Sequence, residues 1–439
     1  MARKMKDSGI EWIGEIPADF SLYKLKYLLS SPLCYGANES GTLYSDILPR
    51  YIRITDISPN GTLKNSGMLS LDESSAQNYM LHEGDILFAR SGATVGKSFI
   101  YHNYYGRAAY AGYLIKASFN RLVLPEFVYY YTCSSAYEIW KNSIFIQSTI
   151  QNIGADRYSN LPISVPNSID KQLRIVRYLN NFCSKFDAIV YNLQTSIEDY
   201  KKLKQAVITQ AITKGVRRGE REMKDSGVAW IGEIPKEWDI IKSSRIIKTT
   251  QNGLSRRDLE KSEGQIILKL KNITSDGKID YSFLNRITLS QNELNTYALT
   301  TGDFLFVRVN GSKSLVGKCA IFEAISEIVA YNDHIIRVKL SNQCYNRFFL
   351  WYLYSCCGKA EIDLHTSTAA GQYTISGDGL RDITLVFPPI DEQKEIADYL
   401  DAKCAEIDGL IAKKEQLVKE LESYKKSLIY EVVTGKREV

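Results

Sequence analysis

Residues Met5–Pro17 read MKDSGIEWIGEIP and residues Met223–Pro235 read MKDSGVAWIGEIP, with differences only at Ile10/Val228 and Glu11/Ala229. Chance does not supply such a match, so the chain holds an internal repeat and its fold is to be read as one unit used twice. Working outward, Glu83–Lys97 (EGDILFARSGATVGK) answers to Thr301–Lys318 (TGDFLFVRVNGSKSLVGK), the second copy carrying three extra residues in its turn. The anchors stay and the loop varies. Leu161–Pro166 (LPISVP) and Ile383–Pro388 (ITLVFP) follow, each an apolar strand-like run ended by proline.

Each run leads into a long helical pattern, from about Asp170 to Thr213 and from about Asp391 to Thr434. Ile169, Asp170 and Gln172 match Ile390, Asp391 and Gln393, with Asp placed to cap the first-turn N–H groups. Apolar residues recur at alternating steps of four and three, as in a coiled-coil seam. The first seam reads Ile175, Leu179, Phe182, Phe186, Ile189, Leu193, Ser196, Tyr200, Leu203 and Val207. The second reads Ile396, Leu400, Lys403, Ile407, Leu410, Lys414, Leu417, Leu421, Tyr424 and Leu428. Two such seams are expected to pack on each other as rods of about 65 Å, a spacer dimension. Because the opening recurs just after the first helix, the N-terminal opening is expected beside the end of the second, a circular pseudo-symmetry.

Outside the helices, short β-branched and aromatic runs such as Asp85–Arg90, Lys97–Tyr101 and Ala108–Lys116 read as strands. Glu126–Trp140 and Arg347–Lys359 read as helical. The expected fold class is α+β: two mixed modules in tandem pseudo-repeat, separated by two long helices forming an antiparallel coiled coil. The expected divisions are residues 1–168 and 216–389 for the modules, and 169–215 and 390–439 for the helices.

At 439 residues one core does not suffice, and 44% hydrophobic and 24% charged residues are ordinary for a folded chain. A net charge of +5 permits an acidic partner without requiring one. The 29 tyrosines suit wet polar interfaces, although tyrosine also fills cores. Cys34, Cys133, Cys183, Cys319, Cys344, Cys356, Cys357 and Cys404 have neither zinc nor disulfide-framework spacing and read as reduced thiols. The basic start, Met1–Lys6, runs into Asp7 and Ser8 without an apolar stretch, so no export signal or membrane span is expected and the location is read as cytoplasmic.

Several chemistries are set aside. Gly92–Ser98 (GATVGKS) resembles a phosphate-cradling loop but is one residue short, and the second copy has Cys319 where the metal-binding hydroxyl belongs. Asp391, Glu392 and Lys394 supply nuclease residue types, yet Lys171 replaces Glu392 in the first copy. Pro388 and Pro389 follow Phe387 and lack the Asn or Asp of a base-holding methyltransferase motif. His82, His102, His334 and His365 are scattered without metal-ligand spacing. No catalytic residues, metal site or cofactor are expected.

Taken together, the WIGEIP openings, the GDILFAR and GDFLFVR strands with their Gly-Lys turns, the IDKQ and IDEQ helix starts, and the TKG and TGK ends at Thr213 and Thr434 carry a resemblance. The chain resembles the specificity subunit of a type I restriction-modification enzyme over nearly its whole length. The resemblance implies a non-catalytic subunit with two target-recognition domains, each reading one half of a bipartite asymmetric double-stranded DNA target. It also implies two methyltransferase subunits docked on the helices, and restriction subunits besides. S-adenosylmethionine, ATP and magnesium would belong to those partners.

Loops between repeated strands are the expected DNA contacts, with Lys and Arg on phosphates and polar side chains on base edges. In the first module these are Arg90, Ser91, Thr94, Lys97, Asn103, Tyr104, Tyr105, Arg107, Gln147 and Gln151. In the second they are Arg308, Asn310, Ser312, Lys313, Lys318, Gln372 and Tyr373. The competing readings are a coiled-coil adaptor for proteins alone and a self-contained DNA methyltransferase or nuclease.

Overall fold

The computed structural model describes residues 4–58, 61–145, 152–256, 263–274, 276–369 and 371–439. Its chain forms two compact units, one of Met1–Gln194 with Glu415–Val439, the other of Thr195–Lys414. Both are built to the same plan.

In the first unit the opening folds as a hairpin, Met5–Asp7 against Glu15–Pro17, and Phe20–Lys24 pairs antiparallel with Pro162–Pro166. The central sheet runs in the order Cys34–Tyr35, Leu114–Ala117, Ile86–Ala89, Ser98–Ile100, all antiparallel. A second sheet runs Ala108–Tyr110, Arg50–Ile52, Leu69–Ser70, Thr42–Leu43, its first pair parallel. The second unit repeats this: Met223–Asp225 against Glu233–Pro235, Asp239–Lys242 against Thr384–Phe387. Its central sheet is Ile247–Asn252, Ile335–Leu340, Phe304–Val307, Cys319–Ile321. In its side sheet Gln265–Leu268 lies parallel to Val329–Tyr331.

Ala108–Lys116, which reads as one strand, is broken. Ala108–Tyr110 belongs to one sheet and Leu114–Ala117 to the other, with Ala111–Gly112–Tyr113 turning between them. The helical stretches are likewise split, into Pro125–Thr132 and Ser135–Phe145, and into Asn346–Tyr354 and Cys356–Leu364. The cause is a buried serine at each break, Ser134 and Ser355. Ser355 Oγ accepts the Gly358 N–H at 3.1 Å, restarting the helix with its own side chain.

The two long helices span Ile169–Lys214 and Ile390–Val433. In the first unit Ile13 and Ile16 of the opening share a core with Leu428, Ile429, Val432 and Val433, and the Tyr430 hydroxyl donates to Ile13 O at 3.0 Å. The opening thus docks on the end of the second helix. In the second unit Ile231, Ile234 and Trp238 share a core with Ile208, Ala211 and Ile212, from the end of the first helix.

Each helix start is locked by a fully buried glutamine. Gln172 Oε1 accepts the Leu124 N–H at 2.8 Å while its Nε2 donates to Pro166 O at 3.0 Å. Gln393 Oε1 accepts the Tyr345 N–H at 2.8 Å and its Nε2 donates to Pro388 O at 2.9 Å. Asp170 and Asp391 lie inside the first turn, and among the described residues neither hydrogen-bonds its N–H groups.

The inner face of the helices corrects the seam read from the periodicity. Ile175, Leu179, Ile396, Leu400, Ile407 and Leu428 are buried, and Phe186, Leu193, Tyr200, Leu410, Lys414 and Leu421 half-buried. At the alternate positions, however, the next residue turns inward. Cys183, Ile197, Ile208 and Cys404 are buried, while Phe182, Ser196, Val207 and Lys403 beside them are half-buried, Phe182 and Val207 packing against the cores. Val190, Lys204, Val418 and Lys425 are half-buried, while Ile189, Leu203, Leu417 and Tyr424 are exposed. The apolar pairs Ile189/Val190 and Leu417/Val418 satisfy either register locally, and the partner helix chooses between them. Tyr424 still lies 5.7 Å from the Phe186 ring, at the seam's rim.

Among the described residues no helix is long and apolar enough to cross a membrane, and no disulfide joins the cysteines.

Candidate nucleic-acid interface

The Gly-Lys stretches close a hairpin in each unit. The Ala89 N–H donates to Lys97 O at 2.8 Å and the Gly96 N–H to Ala89 O at 2.9 Å; Val307 and Gly317 make the same bonds, 2.8 Å to Lys318 O and 2.9 Å to Val307 O. Gly96 and Gly317 hold φ of 82° and 75°, a left-handed conformation that glycine adopts freely. The turn joins two antiparallel strands and opens no helix after a parallel strand, so it lacks the geometry of a phosphate-cradling loop. After the arginine, Val309–Asn310 pairs with Tyr373–Thr374, as Ser91 bridges to Asn152 in the first copy.

Arg90 and Arg308 leave their strands in the same setting. The Arg90 N–H donates to Tyr113 O at 3.0 Å and its carbonyl accepts the Ile153 N–H at 2.9 Å. For Arg308 the partners are His334 O at 2.8 Å and the Ile375 N–H at 3.0 Å. The Arg90 guanidinium lies 5.0 Å from the Tyr35 ring centre, and Arg308 Nη1 donates to Asp333 O at 3.2 Å. Both side chains are half-exposed, and among the described residues neither is paired with a carboxylate. Their charge remains open to an anion such as a phosphate.

The other residues expected at the site fall into several groups. Ser91 bridges to Asn152, and half-buried Thr94 and Lys97 lie in the hairpin turn, as Lys318 does in the second unit. Asn103–Tyr105 form one short helical turn anchored by Glu83, whose Oε1 meets His102 Nδ1 at 2.6 Å and whose Oε2 accepts the Asn103 N–H at 2.6 Å. Those bonds, the His102 one first, hold the Glu83 carboxyl below its usual range. Tyr104 is 76% exposed, its ring 4.4 Å from that of Tyr105. Burial pushes the Tyr105 hydroxyl up to about 12, so it stays protonated. Arg107 is paired with Glu73, which offsets its charge. Gln147 and Gln151 lie outside the described residues.

In the second unit the sheet brings Asn310 opposite Tyr373, with exposed Gln372 beside it. Asn310 Oδ1 accepts the Ser312 N–H at 2.9 Å, and Lys313 Nζ lies 4.0 Å from Asp363. Tyr373 packs partly against the core.

Sequence reasoning missed Tyr35, Tyr113, Ser255 and the run Asn332–Asp333–His334, which surround the two arginines. A signal was available: Tyr110–Leu114 (YAGYL) and Tyr331–Ile335 (YNDHI) stand at the helices' own spacing of 221 residues, but their middles differ too much to attract notice.

The nuclease-type residues play a structural part. Glu392 is 1% exposed; its Oε1 accepts from Arg221 Nη1 at 2.5 Å and its Oε2 from Trp238 Nε1 at 3.0 Å. Exposed Asp391 pairs with Lys394 at 3.7 Å. Among the described residues no group of three His, Cys, Asp or Glu could hold a metal ion.

The type I restriction modification DNA specificity domain family matches residues 44–199 and 235–420. The chain is 25% identical over 317 residues to the StySPI type I restriction enzyme specificity subunit of Salmonella potsdam, covering 72% of this chain and 66% of that one. It is 23% identical over 292 residues to the EcoKI specificity subunit of Escherichia coli strain K12, covering 66% and 61%. The match therefore spans just under two thirds of these curated relatives. A chain solved in work on the complex assembly and conformational transition of the type I R-M system superposes with a TM-score of 0.71 at 14% identity, covering 96% of this chain and 99% of that one, a likeness of fold. With one match falling largely in each unit and the pair covering most of its length, the chain belongs to the type I restriction modification DNA specificity domain family.

Proposed function

We propose that this chain is the sequence-specific DNA-recognition subunit of a type I restriction-modification complex, each unit reading one half of a bipartite, asymmetric target. One observation carries the reading: the units repeat one scaffold and one arginine, Arg90 or Arg308, without a carboxylate partner among the described residues, while the loops around that arginine differ. Such a pairing suits a common phosphate contact with separate base readout. Residues 1–168 and 216–389 serve as the target-recognition domains, and 169–215 and 390–439 as the spacer helices.

The helices act as an antiparallel coiled coil that sets half-site spacing and docks two methyltransferase subunits. Support comes from Lys204 pairing with Asp408 in one unit and Lys425 with Asp187 in the other, since the residue numbers rise along one helix as they fall along its neighbour. The chain has no catalytic role: methylation and ATP-dependent cleavage, with S-adenosylmethionine, ATP and magnesium, reside in the methyltransferase and restriction subunits of a cytoplasmic complex. The phosphate and base contacts are Arg90, Arg308 and the loop residues beside them.

The test is to co-purify the chain with its methyltransferase and map methylation on random DNA by single-molecule sequencing. A split, asymmetric motif whose methylation requires the chain is the expected result. Methylation that does not depend on the chain would leave a protein adaptor.

A further inference from the structure

We infer that half-site choice is set in each unit by one turn, Ala111–Gly112–Tyr113 in the first and Asn332–Asp333–His334 in the second. The inference rests on the DNA-recognition reading above and assigns its discriminating element.

The two turns share a backbone. Leu114 N–H donates to Ala111 O at 2.9 Å, as Ile335 N–H donates to Asn332 O at 3.0 Å. Gly112 N–H donates to Ala37 O at 2.7 Å, as Asp333 N–H donates to Leu254 O at 3.1 Å. The third residue of each accepts the backbone N–H of Arg90 or Arg308, through Tyr113 O or His334 O. A glycine lets a neighbouring strand approach closely: a Cβ on Gly36 would stand 2.3 Å from Tyr110 O, and one on Gly253 2.1 Å from Asn332 O. The scaffold holding the turn is therefore fixed twice over. Only its side chains change.

What they offer differs in kind. The first turn carries a methyl group, no side chain and a phenol 63% exposed, while Arg90 lies on the Tyr35 ring. The second carries three polar groups in one cluster, in which His334 Nδ1 either accepts from the Asn332 amide or, when protonated, donates to the Asp333 carboxylate. His334 Nδ1 lies 3.2 Å from Asn332 Nδ2 and 3.1 Å from Asp333 Oδ1, and the Ser255 hydroxyl donates to Asp333 Oδ2 at 3.0 Å. With Nδ1 engaged, Nε2 of exposed His334 has no partner among the described residues, whereas Asn332 Oδ1 is buried and out of reach of a base. Base-edge readout needs donors and acceptors held in place before binding. The second turn thus reads a base edge by a hydrogen bond through exposed His334 Nε2, the ring being held by Asn332. The first reads by apolar contact through Tyr113, of the kind a thymine methyl accepts.

Each half-site serves as the control for the other. In the full chain co-purified with its methyltransferase, Asn332→Ala with His334→Ala should relax one or two base positions of a single half-site, by roughly tenfold each. Tyr113→Ala should relax the opposite half-site and leave the first intact. If a variant does not fold or co-purify, His334→Gln, which keeps polarity and comparable size, is expected to alter the preference at the same base pair. An unaltered motif in these variants, or a uniform loss over all sequences, would overturn the assignment of the turn. Methylation by the wild-type complex that ignores the chain would instead defeat the recognition reading itself.

Discussion

Lys204 Nζ lies 2.6 Å from Asp408 Oδ2, and its repeat mate Lys425 Nζ lies 2.6 Å from Asp187 Oδ1. The same clamp occurs once in each unit, lysine from one helix and aspartate from the other. Both aspartates are more than half exposed, so each pair contributes about 0.2–1 kcal/mol and less at high salt. Lys204→Glu and Asp408→Lys should each lower the urea midpoint at low ionic strength, and the double variant should recover most of the loss. Strictly additive losses would show that the pair does not hold the helices in register.

The buried glutamines carry a larger share. Gln393→Ala leaves the Tyr345 N–H and Pro388 O without their bonds, at a cost of about 1–3 kcal/mol. Gln393→Met, which keeps the volume, should be nearly as destabilising, and exchange of the Tyr345 amide should accelerate. Gln172→Met should behave alike through Leu124. A Met variant matching wild type in thermal midpoint would count against this role.

Arg308→Ala and Arg90→Ala should each weaken DNA binding across all sequences. If each guanidinium meets one phosphate, the slope of log affinity against log salt becomes shallower by about 0.9 per substitution. An unchanged slope would mean that Arg308 serves only its bond to Asp333 O, and Arg90 only its contact with Tyr35.

Burial pushes the thiols of Cys183 and Cys404 up to about 11, at equivalent places in the helix pair. An unfolded thiol ionises near about 8.5, so between that pH and about 11 the unfolded state loses its proton first. The contribution of these thiols is therefore complete below about 8.5 and declines as pH rises towards the folded value. In the native protein, exposed Cys34 and Cys356 should react with a thiol reagent promptly at neutral pH, with Cys183 and Cys404 protected until unfolding. Prompt reaction at Cys183 or Cys404 would contradict their burial in the seam.

The sequence by itself determined the repeat, the two long helices and the docking of the opening on the far helix end. Each follows from signals that are local or that recur: an opening of thirteen residues written twice, and apolar spacing sustained over many turns. It also singled out Arg90 and Arg308, because both copies place arginine after the same apolar strand. Tertiary structure alone decided the rest. Phe182 and Cys183 satisfy one helical period almost equally, and packing against the second helix turns Cys183 inward. The reading turns had no local signature, since Ala111–Tyr113 looks like the middle of a strand until its two ends enter different sheets. Tyr35 and Ser255 reach that site from strands and turns far away in the chain, a proximity created by sheet pairing that residue spacing does not encode.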